Sequence, residues 1–342
     1  MLAQFTEQLR AGAAMTRPDI ETVCSLLLDE GQSIPMRADF LRALEGKGAT
    51  ADEIASFVEV LLLRANSPAI TPEGIIDVCG TGGDRHGLVN ISTASMFVTA
   101  GCGIPVVKHG NRGVTSKSGG ADVLEALGVR IDTAPEQAAE ILERAGCVFL
   151  FAPRYHPTFK AIAPVRKLLA EEGTPTIFNL LGPLLNPAKP EFQLAGVFNP
   201  SLLPLYAEVF RLLGRHSAWA VHGESPEGGL DEVSTLGPTT VHRVEDGEIF
   251  QDQLDTEKLP IFPAVLTDLK GGGAEENART VVEVLEGSGP VAIRQIIALN
   301  AACSLLVTGA EVQLDEAFRR AEESISAGRA LESLNKLRRA TN

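Results

Sequence analysis

Residues 77–128 read DVCGTGGDRHGLVNISTASMFVTAGCGIPVVKHGNRGVTSKSGGADVLEALG. Two short apolar runs, Ile75 to Val78 and Ile104 to Val107, each lead into a glycine-rich turn, and an apolar helical pattern lies between them. Strand, turn, helix and strand in this order predict a βαβ-like unit. In the first turn, Gly80-Thr81-Gly82-Gly83-Asp84, the glycines permit a tight reversal and bring bare amides close to a ligand. Asn90-Ile91-Ser92-Thr93 opens the helical pattern and offers hydroxyls and a positive helix end to an anion. The second turn, Lys108-His109-Gly110-Asn111-Arg112, continues through Thr115-Ser116-Lys117-Ser118-Gly119-Gly120, and its three cations and three hydroxyls can grip phosphate oxygens. Two anion sites in one unit suggest a substrate with more than one phosphate.

Neither turn matches the better-known nucleotide motifs. GTGGD lacks the closing glycine of GxGxxG, and no GxxxxGK[ST] occurs in the chain. A glycine turn alone is equally well a strand-to-helix connection with no ligand. Three glycine and cation motifs at this spacing favour the anion site.

Outward from this stretch, Ile and Val runs recur at 148–151, 194–198 and 218–221 and alternate with helical patterns, which predicts a largely parallel sheet with crossover helices. Val241 to Val244 and Glu248 to Phe250 flank Glu245-Asp246-Gly247 as a hairpin. Helices apolar on one face are expected at Ala274 to Leu285, Val291 to Val307 and Leu314 to Ser326. Residues 1–70 carry no strand signal. There, Thr16 before Pro18 marks a helix start, and Thr50 with Glu53 forms a capping-box pattern ahead of an apolar run through Leu63.

With 342 residues and 44% hydrophobic content the chain can bury a large core over two domains. Its 30 Lys and Arg are outnumbered by 44 Asp and Glu, a formal charge of −14, which argues against a nucleic-acid binder. A basic cluster at Lys108, Arg112 and Lys117 in an acidic chain fits a small-anion site instead. The five cysteines are scattered, odd in number and without a CxxC pair, as expected of reduced core residues in a cytoplasmic protein. No signal-peptide pattern opens the chain, and no uncharged apolar stretch reaches the roughly 18 residues that a membrane span needs.

GTGGD, NIST, KHGNR, SKSGGADVLEALG, Tyr155-His156-Pro157-Thr158-Phe159-Lys160, Ala163-Pro164-Val165-Arg166-Lys167, TIFNLLGPLLNP from Thr176 to Pro187, and Gly229-Leu230-Asp231-Glu232 follow one another along nearly the whole chain. In these motifs and their order the chain resembles the anthranilate phosphoribosyltransferases of tryptophan synthesis. The resemblance implies a small all-helical domain, residues 1–70 joined by part of 160–190, and an α/β phosphoribosyl-binding domain over 71–342, in the nucleoside phosphorylase and phosphoribosyltransferase type of architecture. It implies PRPP and anthranilate as substrates, loss of pyrophosphate, a cleft between the domains and a homodimer. For PRPP it points to Gly80, Gly83, Asp84, Asn90, Ile91, Ser92, Thr93, Lys108, His109, Gly110, Asn111, Arg112, Thr115, Ser116 and Gly120. Ser92, Asp231 and Glu232 would hold Mg²⁺, two ions with PRPP, since a diphosphate arrives with a hard cation held by one or two carboxylates.

The acceptor side is expected at Gly80, His109, Asn111, His156 and Arg166. A guanidinium pairs bidentately with a benzoate-like anion, and Ala163 and Pro164 keep its surroundings apolar. His109 and His156 either line this site as neutral polar groups or are structural. No Ser-His-Asp order, HExxH or catalytic cysteine is evident, and no acid, base or covalent nucleophile is assigned.

Several departures from the family pattern stand out. Leu88 replaces a threonine and Gly120 a serine, each removing a possible bond to phosphate worth roughly 1–3 kcal/mol. Thr158-Phe159 replaces a small residue and a methionine. Ala170 to Thr176 is a few residues longer, with Pro175 where an arginine is common, and Ser225-Pro226-Glu227 lengthens the approach to the carboxylates. The alternatives are a paralogue with another aromatic acceptor, a pyrimidine nucleoside phosphorylase, in which the carboxylate pair has no role, and a non-catalytic nucleic-acid-binding relative.

Overall fold

The computed structural model describes residues 1–71, 73–83, 86–113 and 117–342. Four helices come first: α1 (Leu2–Arg10), α2 (Arg17–Leu27), α3 (Ile34–Lys47) and α4 (Ala51–Leu62). Thr16 and Thr50 cap α2 and α4, each hydroxyl accepting the backbone N–H three residues on while Asp19 or Glu53 returns the bond. Such caps stabilise a helix by about 1 kcal/mol each. Glu53 is buried and also accepts the Met15 amide and the Lys47 ammonium, so one carboxylate ties α4 to the end of α3 and to the loop before α2. Burial raises its pKa, but these hydrogen bonds outweigh that and hold it below the usual range.

The sheet follows, with β1 (Ile76–Gly80), α5 (Ile91–Gly101), β2 (Val106–Gly110), α6 (Gly120–Ala126), α7 (Ala138–Ala145) and β3 (Cys147–Phe151). After α8 (Ala152–Tyr155), α9 (Ala163–Glu171) and α10 (Ile177–Leu181), the chain returns as β4 (Phe192–Gly196), α11 (Leu203–Leu212) and β5 (Ser217–Ser225). The strand order is β3-β2-β1-β4-β5, all parallel. Antiparallel β6 (Gly228–Leu230) and β7 (Thr239–Glu245) pair with β5, and β8 (Glu248–Leu254) pairs with β7. Helices α12 (Ala274–Leu285), α13 (Val291–Val307), α14 (Leu314–Ser326) and α15 (Arg329–Thr341) complete the chain.

The largely parallel sheet and the helical domain are as expected, with local corrections. The run at 104–107 becomes a strand at 106–110, extending through Lys108 and His109 because all five residues pair with β3. The run at 194–198 ends at Gly196. Strand β6 and helix α15 have no counterpart in the sequence expectations. Helix α13 is not apolar on one face only: from Gln295 to Leu305 every residue is buried, because it lies within the helical layer rather than on its surface.

Apolar side chains gather on both faces of the sheet. Ile76, Val78 and Val106 pack with α5 and α13, whereas Cys79, Ala195 and Ala218 on the other face pack with α11, α4 and Val165, Leu169 and Phe178. Helix α9 lies against α3, held by the Arg42–Glu172 pair at 2.7 Å and by buried Arg37, which donates to the Leu27 and Ala161 carbonyls. Since β1 borders both β2 and β4, the strand order reverses at β1, and the crevice at its carboxyl end is where such sheets bind ligands. No helix among the described residues is long and apolar enough to cross a membrane. All five cysteines are free and buried.

Candidate active site

At the carboxyl ends of the strands, Asp231-Glu232 crosses bare backbone. A Cβ on Gly196 would lie 1.6 Å from the Asp231 carbonyl oxygen, one on Gly80 2.8 Å from Asp231 Oδ2, and one on Gly223 2.5 Å from the Glu232 carbonyl oxygen. These glycines are required for close approach. The β5–β6 hairpin delivers the segment, with Pro226 and Glu227 at its turn. Gly82 N–H donates to Asp231 Oδ2 at 2.6 Å, and Ser92 N–H donates to Glu232 Oε1 at 3.2 Å. Behind them, buried Asn300 of α13 accepts the Val233 N–H at 3.0 Å and donates to the Val233 carbonyl at 2.9 Å.

The PRPP-type residues surround this point, but not all as expected. Gly83 takes φ +111°, and a Cβ there would lie 3.5 Å from the Phe198 ring. Asn90 does not cap α5 with its side chain. Its Oδ1 accepts from Ser118 Oγ at 3.2 Å and from Asn277 Nδ2 at 2.8 Å. Ile91 and Thr93 are buried, so the Ile91 side chain serves the core. The Ser92 amide at the positive end of α5 already serves Glu232, which uses the helix dipole for a carboxylate of the chain. Lys108 is buried and donates to Ser92 Oγ at 3.2 Å and to the Val78 carbonyl.

Of the other two cations, Lys117 is exposed and Arg112 is committed. The Arg112 guanidinium pairs with Glu125 and with Asp122 at 3.0 Å and lies 5.5 Å from the Phe151 ring centroid. Hydrogen bonds to Glu125 and Asp122 raise its pKa. Gly110 ends β2 under the Phe149 ring, and Asn111 is exposed with its Oδ1 on the Arg112 amide. The expected residues Asp84, Thr115 and Ser116 lie outside the described residues.

Two departures now have physical reasons. A Cβ on Gly120 would sit 2.9 Å from Thr93 Oγ1, so the site is closed around a bare glycine. Leu88 is half-buried, packs against the sheet core and forms an isolated bridge with Lys270.

The acceptor-type residues form a continuous wall. His109 and His156 meet edge to face at 5.2 Å, Phe159 lies 5.2 Å from His156 and 5.8 Å from Phe178, and the Arg166 guanidinium lies 5.5 Å from the Phe178 centroid. Burial, with some repulsion from His156, pushes His109 down to about 3, and burial likewise lowers His156, whose Nε2 bonds the Leu185 carbonyl at 2.8 Å. Both rings are neutral near pH 7. Arg166 is solvent-accessible but set among protein atoms, whose partial desolvation lowers its pKa. Among the described residues it makes no ion pair. An unpaired guanidinium at the end of a row of rings suits a flat aromatic carboxylate. Ala163 and Pro164 stand exposed beside it in the first turn of α9.

Asp231, Glu232 and Ser92 bring two carboxylates and a hydroxyl to the start of α5, the hard oxygen donors that Mg²⁺ takes. No group of three His, Cys, Asp or Glu able to hold a metal occurs among the described residues. The set therefore fits an ion that completes its shell with phosphate and water.

Sequence reasoning missed the residues that hold these groups in place. Asn277, buried at the start of α12, accepts the Gly272 amide at 2.7 Å and donates to Asn90 Oδ1 and, at 3.0 Å, to Ser118 Oγ. The available signal was an asparagine at a core-facing helical position, as with Asn300 in the apolar α13 run, since a buried amide requires partners.

Residues 72–331 match the model of the glycosyl transferase family, a/b domain. The chain is 43% identical to an anthranilate phosphoribosyltransferase of Anaeromyxobacter sp. (strain K), over 100% of this chain and 99% of that protein. The crystal structure of anthranilate phosphoribosyltransferase from Thermus thermophilus superposes with a TM-score of 0.89 at 35% identity, covering 98% of this chain and 99% of the other. The Saccharomyces cerevisiae enzyme in complex with PRPP and Mg superposes with a TM-score of 0.87 at 28% identity, covering 99% and 97%. Glycine-ended strands beneath a carboxylate pair, an aromatic wall ending in an unpaired arginine, and full-length likeness agree: the chain belongs to the anthranilate phosphoribosyltransferase family.

Proposed function

We propose that the protein transfers the phosphoribosyl group of PRPP to the amino group of anthranilate, releasing pyrophosphate, in tryptophan biosynthesis. One observation carries this reading: glycines of β1, β4 and β5 seat Asp231 and Glu232 at the carboxyl edge of the sheet, and His109 of neighbouring β2 begins the row of rings that runs to Arg166, an arrangement suited to a diphosphate beside an aromatic acid. The C1–O bond to pyrophosphate breaks as the C1–N bond forms, and the proton lost by the amine passes to water or to the departing pyrophosphate. Charge builds on C1 and on the leaving group, so positioning and electrostatics supply the catalysis. Arg166 would hold the acceptor carboxylate, and the rings of Phe159 and His156 would fix its plane. Neutral His109 and His156 keep a second cation away from the developing positive charge at C1.

Asp231, Glu232 and Ser92 would hold Mg²⁺, two ions with PRPP, and the metal would neutralise the departing diphosphate. The Saccharomyces cerevisiae relative in complex with PRPP and Mg supports the use of Mg²⁺ with PRPP. Two moving units, 1–70 with part of 160–190 and the remainder of 71–342, would close over the substrates. A homodimer through the helical unit follows from the family reading. Five free, buried thiols support a cytoplasmic location, and the charge of −14 weighs against nucleic acid as a partner.

The test is loss of anthranilate fluorescence with PRPP, with and without Mg²⁺. Metal-dependent loss is expected, and the Asp231→Asn, Glu232→Gln double variant should lower kcat by about 100-fold or more. Folded protein that binds PRPP but leaves anthranilate untouched, while consuming another aminobenzoate, would shift the reading to a paralogous acceptor, which Phe159 in the wall favours.

A further inference from the structure

Strands β1 and β2 are neighbours, yet only Ile76 and Val106 register across them, whereas β1–β4 and β2–β3 each register over five residues. In a parallel ladder begun at Ile76 and Val106, the next bonds would join Val107 and His109 of β2 to Val78 of β1. Those backbone groups are bonded to side chains instead. Asn186 Nδ2 donates to the Val107 carbonyl at 2.7 Å, the His109 N–H donates to Asp77 Oδ1 at 3.3 Å, and Lys108 Nζ donates to the Val78 carbonyl. All three side chains are buried. Asn186 is itself oriented by the Ala188 amide, which donates to its Oδ1 at 3.0 Å.

Buried backbone groups leave a ladder only where other partners satisfy them. Here three side chains, from β1, β2 and the segment after α10, take over the bonds at the point where the strands head toward Gly80 and Gly110. The Lys108 ammonium that takes the Val78 carbonyl also donates to the Ser92 hydroxyl, so this stretch of the two strands is tied to the first turn of α5. Burial pushes the Asp77 carboxyl up to about 6, and the charge of Lys108 opposes that rise.

We propose that Asp77 and Asn186 are positioning residues for the phosphoribosyl donor. With Lys108 they wedge β1 and β2 apart and so set the width of the cleft between the GTGGD and KHGNR loops. This rests on the donor reading above. Neither residue is assigned contact with substrate; both act through the backbone of β2.

The experiment measures PRPP binding by calorimetry with Mg²⁺, together with steady-state constants, for the wild type, Asp77→Ala, Asp77→Asn and Asn186→Ala. Asp77→Ala should raise the Kd and KM for PRPP about tenfold while kcat at saturation changes less than about threefold. Asp77→Asn keeps an acceptor oxygen for the His109 amide and should recover most of the loss. Destabilisation alone would lower the melting temperature and the active fraction without moving the KM for PRPP. A folded Asp77→Ala protein that binds PRPP like the wild type would overturn the wedge, as would Asp77→Asn as impaired as Asp77→Ala. Should Asp77→Ala not fold, Asn186→Ala decides: a rise of about threefold in Kd is expected, and no change overturns the proposal. Wild type that binds PRPP without making product defeats the acceptor reading while the binding comparison stands; wild type that binds no PRPP defeats both.

Discussion

The two sides of the proposed site are built on different physical terms. The donor side is backbone: glycines with no room for a Cβ, carboxylates seated on amides of the chain, and buried asparagines holding loops in place. The acceptor side is side chains: four rings in a row and one unpaired arginine. A backbone site tolerates little, because a single methyl collides with main chain that cannot rotate away. A wall of side chains can be altered ring by ring, so variation there changes which aromatic acid fits rather than whether the site forms.

The most severe test of this contrast is Gly196→Ala, whose methyl would fall 1.6 Å from the Asp231 carbonyl oxygen. It should lower kcat/KM by about 100-fold or more, or prevent folding; a soluble variant with wild-type turnover would erase the distinction. Arg166→Ala sharpens it from the other side. Loss of a charged bond of about 1.4 kcal/mol should raise the acceptor KM roughly tenfold and leave the PRPP KM in place. A raised PRPP KM would place Arg166 on the donor side.

The smallest expected effect concerns His109, where the two sides meet. Its pKa falls from the ordinary 6.5 to about 3 on folding, chiefly through burial. A depressed pKa contributes stability that is fully present above the unfolded value and is lost as pH falls toward the folded one. His109→Asn should therefore flatten the decline in melting temperature between about pH 6.5 and 3, and wild-type turnover should show no limb from this ring between about pH 5 and 8. Equal declines in both proteins would mean that His109 is not buried in its neutral form.

How much was legible in advance follows the same division. The caps at Thr16 and Thr50 and the spans of α12, α13 and α14 were readable because their signals lie within one or two turns of the chain. The glycine turns and the carboxylate pair were readable by motif and order. The partners of Arg112 were hidden: Asp122 and Glu125 are close in sequence, but only the geometry of the start of α6 turns them toward it. The work of Asn277 and Asn300 was hidden because each binds segments far away in the chain, and one asparagine in an apolar helix does not announce its partner. Strand limits at 106–110 and 192–196 were set by neighbours β3 and β1 rather than by local hydrophobicity.

By itself, then, the sequence determined the class of fold, the order of the motifs and the chemical types gathered for a phosphorylated donor and an aromatic acid, since turn, cap and periodicity rules are local. The tertiary structure alone decided which of those groups are already engaged, why Gly80, Gly196 and Gly223 tolerate no side chain, and where β1 and β2 part. Those outcomes depend on close packing and hydrogen bonding between segments that only folding brings together, from Gly223 with Glu232 nearby in the chain to Gly82 with Asp231 and Ser92 with Glu232 far along it.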